Sequence, residues 1–229
     1  MILHPLGDRA FLAVFFRESE AVAWASAVRE RALPEVADVV VAYEKVAVFA
    51  GPDALDLDAL EGALRSIRAI EGAPDASRLL VVPVLYDGED LAFVAEALGL
   101  SIDDVIACHQ ATEYVVQAIG FLPGFPYAGA LPDTLRGLAR RASPRVRVPA
   151  GSVAIAGRQT CIYPRESPGG WHLLGRTPCS IVDLEAGHFA CAVGDRLRFE
   201  RIDRDASEAM RGRRLVALAD AGTARDRVV

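Results

Sequence analysis

The chain has 229 residues, 52% of them hydrophobic, and a formal net charge of -6 at pH 7. That length and apolar content fit one large or two modest folded domains and exclude a disordered chain, and the acidic balance argues against nucleic acid as the main partner. No apolar run reaches the ~18 residues of a spanning helix, and the N-terminus lacks the charged, apolar, small-residue order of an export signal, so a soluble, cytoplasmic protein without a membrane partner is expected.

In chain order, Gly7 to Phe16 reads as a strand, with Phe11, Val14 and Phe15 apolar. Glu18 to Leu33 reads as a helix, because Ala21, Val22, Trp24, Ala25 and Val28 are spaced for one broad face. Val36 to Tyr43 and Val46 to Ala50 are β-rich runs that meet at Glu44-Lys45. Asp56 to Ile70 opens with acidic residues that favour a helix N-terminus, and Leu79 to Leu85 is a further β-branched run. The order β-α-β-β-α-β is the ferredoxin-like pattern and places a small α/β domain over residues 1–88. This half has few groups of catalytic type and reads as a scaffold or docking domain.

A second domain is expected over residues 89–203. Helices are predicted at Glu89 to Leu98 and Ile102 to Gln110, the second capped by Ser101 with Asp103 and Asp104 in its first turn. Short β-like runs follow at Tyr114–Ile119, Ser152–Ala156, Cys161–Tyr163, His172–Gly175, Ser180–Asp183 and Arg196–Glu200. Many short strands separated by Gly/Pro turns point to a closed barrel or a sandwich. Residues 204–229 turn polar and arginine-rich, and are expected to form a helix with a loose, dispensable end.

Between Thr134 and Arg165 lie seven arginines and no acidic residue: Arg136, Arg140, Arg141, Arg145, Arg147, Arg158 and Arg165. Gly120 to Pro178 also holds nine of the 19 glycines and eight of the 13 prolines. Arginine-bearing loops of fixed shape suit an anion, although a solvated basic loop would have the same composition. Surface placement of Arg145 would make its replacement cost under ~0.5 kcal/mol of stability. His109 shares a helical face with Ile102, Val105 and Ile106, the pattern of a core histidine. Ser167-Pro168-Gly169-Gly170-Trp171 is a tight turn whose N–H groups could form an anion nest or a plain hairpin. Gln159, Thr160 and Tyr163 offer neutral hydrogen-bonding groups for an amide or carboxyl ligand, as edge-strand residues also would. The single lysine, Lys45, rules out a Gly-Lys-Ser/Thr phosphate loop, and no nucleophile elbow or HExxH is present. Cys108, Cys161, Cys179 and Cys191 show no CxxC pairing, so no metal site is expected.

Several of these segments carry a resemblance. They are Gly120-Phe121-Leu122-Pro123-Gly124-Phe125-Pro126-Tyr127, Pro144 to Val153, Ala156 to Pro164, Ser167 to Trp171 and Gly175-Arg176-Thr177-Pro178. In that order they resemble one bacterial family, described as the 5-oxoprolinase B-subunit, allophanate hydrolase subunit 1 or KipI-type inhibitor of a sporulation histidine kinase. The likeness runs from about Gly7 to Ile202. It implies an α+β protein: a small N-terminal α/β domain, here the ferredoxin-like one, and a C-terminal cyclophilin-like β-barrel. It implies a C-type partner (allophanate hydrolase subunit 2 type), a lactam-utilisation protein as the A-type partner, and ATP with Mg2+ in the assembled complex. A histidine kinase is the partner in the regulatory alternative, and a urea-processing carboxyltransferase is the third. His109 falls where the family has a histidine, and Cys161 replaces a common glycine. The resulting catalytic candidates are His109, Arg145 and Gln159. Substrate or anion contacts are assigned to Arg147, Ser152, Thr160, Tyr163, Ser167, Gly169, Gly170 and Arg176.

Overall fold

The computed structural model of the protein describes residues 1–52, 54, 56–68 and 78–218. It is a mixed α/β structure dominated by sheet, with five helices among the described residues, and it divides into two compact units, Met1–Ala76 and Ser77–Val229.

The first unit contains β1 (Ile2–Pro5), β2 (Ala10–Val14), α1 (Glu18–Arg31), β3 (Val36–Ala42), β4 (Lys45–Ala50) and α2 (Leu57–Ser66). Its strands form an antiparallel sheet in the order β1-β2-β4-β3. The strand predicted from Gly7 to Phe16 is present as β2, and a further strand, β1, precedes it. Gly7 turns the chain at φ +67°, a conformation that glycine adopts without strain, and so β1 folds back along β2. Helix α1 buries Ala21, Trp24, Ala25 and Val28, the i, i+3, i+4, i+7 face expected from the sequence. Helix α2 begins where Asp56 accepts a hydrogen bond from the Ala59 N–H at 2.8 Å. The helix predicted to reach Ile70 ends at Ser66, where Ile67 is already extended, and residues 69 and 70 lie outside the described residues.

The second unit begins with β5 (Leu79–Val84), α3 (Leu91–Leu98) and α4 (Ile102–Gln110). Ser101 and Asp104 form a reciprocal capping box at the start of α4. There follow β6 (Glu113–Ile119), β7 (Pro126–Gly129), β8 (Arg145–Val148), β9 (Ser152–Ala156), β10 (Gln159–Ile162), β11 (Ser167–Gly169) and β12 (His172–Arg176). The chain continues through β13 (Val182–Asp183), β14 (His188–Phe189), β15 (Arg196–Arg201) and α5 (Arg204–Met210). Strand β5 does not complete the N-terminal pattern, as its position in sequence suggested. It pairs in parallel with β15, Leu79 opposite Arg196 through Val84 opposite Arg201. The alternation of Leu80, Val82 and Val84 specifies a half-buried strand but not the sheet that receives it, and all three are buried in this unit's core.

The main sheet of the second unit runs β5-β15-β6-β7-β10-β9-β12. Immediately after β5 the chain reaches β12 at the opposite end. Leu85 and Arg176 exchange two main-chain hydrogen bonds of 2.9 and 3.0 Å, and the N–H groups of Gly88 and Asp90 donate to the carbonyls of Leu174 and Leu173. The sheet therefore closes on itself. The seam is tight: a Cβ on Gly88 would sit 2.3 Å from the Leu173 carbonyl oxygen, and one on Gly175 would sit 2.3 Å from that of Leu85. Inside lies a continuous apolar core that includes Leu80, Val82, Tyr114, Ile155, Ile162 and Phe199. A second cluster, with Phe125, Cys161, Tyr163 and Trp171, lies against other residues of β9 and β10. All five residues of β9 are buried, as expected of a strand covered on both faces.

The C-terminal segment corrects the sequence reading. Leu215 and Ala217 are buried in the main core, the Leu215 N–H donates to the Ser180 carbonyl at 2.9 Å, and Arg214 pairs with Asp183 at 2.6 Å. Two apolar anchors, a main-chain hydrogen bond and an ion pair act together to seat this otherwise polar stretch. Residues 219–229 of the expected loose tail lie outside the described residues. A chain ended at Asp203 should lose stability or soluble expression. Leu215→Ala should cost about 2–5 kcal/mol, read by urea denaturation; an unchanged midpoint would show that the anchor contributes little.

Candidate anion-binding site

The arginine-rich segment is not a free basic loop. Four of its guanidinium groups reach carboxylates, those of Arg136, Arg141, Arg145 and Arg147. Arg145 opens β8, which pairs with β11 so that Arg145 faces Gly169 and Val148 faces Ser167. Its side chain is only 15% exposed, contrary to the surface placement expected from the sequence. The partner is Asp90, a buried residue at the closing seam. Asp90 Oδ1 accepts from Arg145 Nη2 at 2.7 Å and from Arg141 Nη1 at 2.9 Å, while Oδ2 accepts from the Leu173 N–H at 2.8 Å. Burial alone would raise the Asp90 pKa. The hydrogen bonds from Arg145 and Leu173 and the two nearby cations outweigh that, and hold the carboxyl below the ordinary aspartate range. Deleting the Arg145 side chain leaves a buried carboxylate short of a donor, a loss of about 1–3 kcal/mol rather than a surface effect.

The cluster is not saturated. Arg141 Nε, Arg145 Nη1 and Ser167 Oγ are buried without a hydrogen-bond partner. The two guanidinium groups share one carboxylate oxygen and so lie side by side. Around them the structure gathers most of the residues expected from the turn motif. Gly170 accepts a hydrogen bond from the Arg141 N–H at 2.7 Å, and a Cβ on Gly169 would sit 2.3 Å from the Tyr163 hydroxyl. Burial raises the Tyr163 pKa and keeps that hydroxyl neutral, and therefore a donor. Buried N–H groups without acceptors suit a small anion. A Mg2+-bound nucleotide does not fit this set. No group of three His, Cys, Asp or Glu side chains that could hold the metal gathers among the described residues.

His109 and Thr160 form a separate system in the main core. His109 is fully buried, stacked on Phe199 at 4.4 Å and close to Tyr114 at 5.3 Å. Its Nδ1 lies 2.8 Å from the Tyr86 hydroxyl and its Nε2 lies 3.0 Å from Thr160 Oγ1, which is 3.2 Å from the Ala154 carbonyl. One proton arrangement satisfies all three contacts. Tyr86 donates to Nδ1, Nε2–H donates to Thr160, and Thr160 donates to Ala154. Desolvation lowers the His109 pKa to about 3, so the imidazole is neutral. Val105 and Ile106 are buried beside it as the spacing predicted, but Ile102 is exposed.

The remaining candidates lie apart from both systems. Gln159 Nε2 donates to Gln117 Oε1 at 3.1 Å; Arg147 is exposed and pairs with Glu166; Arg176 pairs with Asp87; and Ser152 is buried in β9. Gln159 and Thr160 are neighbours in one strand, and so they face opposite sides of the sheet. Asp90, Tyr86 and Gln117 were missed in the sequence, and Arg141 was noted only as part of the arginine block. A signal for Asp90 existed: an acid-free run of arginines in an acidic chain needs carboxylates from elsewhere, and Glu89-Asp90 is an acidic pair beside a predicted helix start.

The sequence matches the family model described as carboxyltransferase domain, subdomain C and D, over residues 1–191. The chain belongs to this carboxyltransferase-domain family. Relatives of the carboxyltransferase-domain chain include the 5-oxoprolinase B-subunit of Escherichia coli O157:H7, 43% identical over 181 residues, which are 77% of this chain and 83% of the relative. The 5-oxoprolinase B-subunit of Haemophilus influenzae is 38% identical over 181 residues, 77% of this chain and 84% of the relative. Among solved structures, TTHA0988 superposes with a TM-score of 0.78 at 39% identity over 85% of this chain, which spans only 40% of that longer chain. PH0987 of Pyrococcus horikoshii has a TM-score of 0.53 at 34% identity, covering 90% of this chain and 100% of its own.

For the buried histidine the pH dependence has a definite sign. The folded-state pKa is about 3 and lies below the unfolded value near 6.5, so His109 lowers stability as pH falls from ~6.5 towards 3 and contributes no such loss above that window. His109→Phe should flatten this part of the stability–pH curve, measured by urea denaturation at pH 7 and pH 5. A wild-type curve already flat there would mean that the imidazole is not sealed from water.

Proposed function

We propose that the protein is the B-subunit of an ATP-dependent 5-oxoprolinase, which opens 5-oxoproline to L-glutamate together with a C-type partner homologue and a lactam-utilisation protein of the A-type. The observation that carries this reading is the 43% identity, over 181 residues, with a protein named as the 5-oxoprolinase B-subunit. A lactam carbonyl is a poor electrophile, and coupling to ATP supplies the activation that water alone lacks. Water then breaks the ring C–N bond while ATP gives ADP and phosphate. ATP and Mg2+ are assigned to the assembled complex. This chain's own contribution is an anion site. Arg141 and Arg145 present their remaining N–H groups, with Ser167 and Tyr163, to a carboxylate such as that of 5-oxoproline. His109 acts as a positioning residue that holds Tyr86 through Nδ1. The closed sheet supports reading the second unit as a cyclophilin-like barrel.

A second reading has its own support: urea amidolyase of Saccharomyces cerevisiae is 36% identical over 88 residues, although these are 5% of that protein. On that reading the chain is part of a urea-processing carboxyltransferase. The deciding assay is glutamate release from 5-oxoproline, ATP and Mg2+ with the three proteins mixed and each omitted in turn. Activity should require this chain, and the isolated chain should be inactive. Full activity without it would make it a regulator, for instance of a histidine kinase. Turnover of urea, but not 5-oxoproline, with a biotin carboxylase would favour the second reading.

A further inference from the structure

A pocket of about 570 Å³ lies in the second unit, away from the Asp90 cluster. It is framed by the turns at Pro123 and Pro164-Arg165, by β13 with the residues after it, and by Gly212 to Arg214 of the docked C-terminal segment. Its volume is in the range of small-molecule sites. The walls combine an apolar surface, to which Pro123, Pro164, Val182 and Leu184 contribute, with four charged side chains.

The charges do not all cancel locally. Asp183 accepts from the Ala186 N–H at 3.1 Å and from Arg214 at 2.6 Å, and these two bonds hold its pKa below the ordinary aspartate range. That pair is internally satisfied. Arg165 is different: among the described residues it reaches no carboxylate, whereas four other arginines of the acid-free segment are ion-paired and Arg140 lies over the Trp171 ring at 5.7 Å. An unpaired guanidinium beside apolar surface offers a bidentate contact to a carboxylate and a place for its hydrocarbon body. Glu185, exposed in the same lining, adds a negative charge that disfavours multiply charged anions such as nucleotides.

We propose that this pocket binds a small organic monocarboxylate, with its carboxylate on Arg165 and its uncharged body against Pro123, Pro164, Val182 and Leu184. 5-Oxoproline is one such compound, and its choice as a probe rests on the function proposed above, in which its reacting molecule sits on Arg141 and Arg145, so that binding here would be at a second site. Cyclopentanecarboxylate, of similar shape but without the lactam, tests the pocket independently of that function. Each would be titrated into the full-length protein with calorimetry and methyl NMR, alongside ATP as a control. The expected result is saturable binding of cyclopentanecarboxylate that shifts the Val182 and Leu184 methyl signals and weakens at least about tenfold in Arg165→Ala at unchanged melting temperature. ATP should not compete. Absence of saturable binding by either carboxylate into the millimolar range, or equal binding by Arg165→Ala, would overturn the proposal. Binding of cyclopentanecarboxylate but not of 5-oxoproline would uphold the pocket and remove 5-oxoproline as its ligand, whereas the omission assay with the three proteins tests the enzyme assignment separately.

Discussion

The second unit depends on one buried carboxylate. Asp90 stands where the chain leaves β5, closes the sheet against β12 and enters α3. One of its oxygens fixes the Leu173 N–H of β12, and the other takes two guanidinium groups, from Arg141 and from Arg145 of β8. Closure of the sheet and placement of the arginine segment are thus a single electrostatic arrangement. The backbone makes room for it: Gly88 and Gly175 let the two chains approach to a distance that a Cβ would prevent. A buried ion is tolerated only when well supplied with donors, and this one receives three hydrogen bonds.

That arrangement leaves a remainder of unsatisfied polarity, and the candidate site consists of it. If Asp90 were absent, the arginines would be solvated and of no particular geometry. With it, Arg141 Nε and Arg145 Nη1 are held in place, buried and without acceptors. On the opposite side of β10 the chemistry is reversed: the Tyr86–His109–Thr160 chain uses all its protons internally and keeps the imidazole neutral. One strand therefore borders an apolar core stitched by a closed polar chain and a second cluster that adjoins open donors.

Much of this was legible in the sequence, in proportion to how local the signal is. The apolar face of α1 and the Ser101 cap of α4 depend on neighbours within a few residues, and those features were read directly. The choice of partner strand for β5 depends on β15, more than a hundred residues away, and period-two alternation carries no address. The N-terminal hairpin was hidden because Gly7 marks a turn only if a strand precedes it. The acid-free arginine block was conspicuous, and its grouping with Ser167, Gly169 and Gly170 was recovered. Its counter-ion was not, because Asp90 lies 51 residues before Arg141 and 55 before Arg145. The C-terminal anchor was missed because composition averaged over a polar segment conceals Leu215 and Ala217.

The central claim is that Asp90 is ionised, buried and held by the two arginines. Its side-chain carboxyl carbon can be followed by 13C NMR as pH is lowered. The account predicts a midpoint below the ordinary aspartate value of 3.8 in the wild type, and an upward shift in Arg145→Ala, where burial is no longer offset by its strongest donor. A midpoint at or above 3.8 in the wild type, or one indifferent to loss of Arg145, would contradict it.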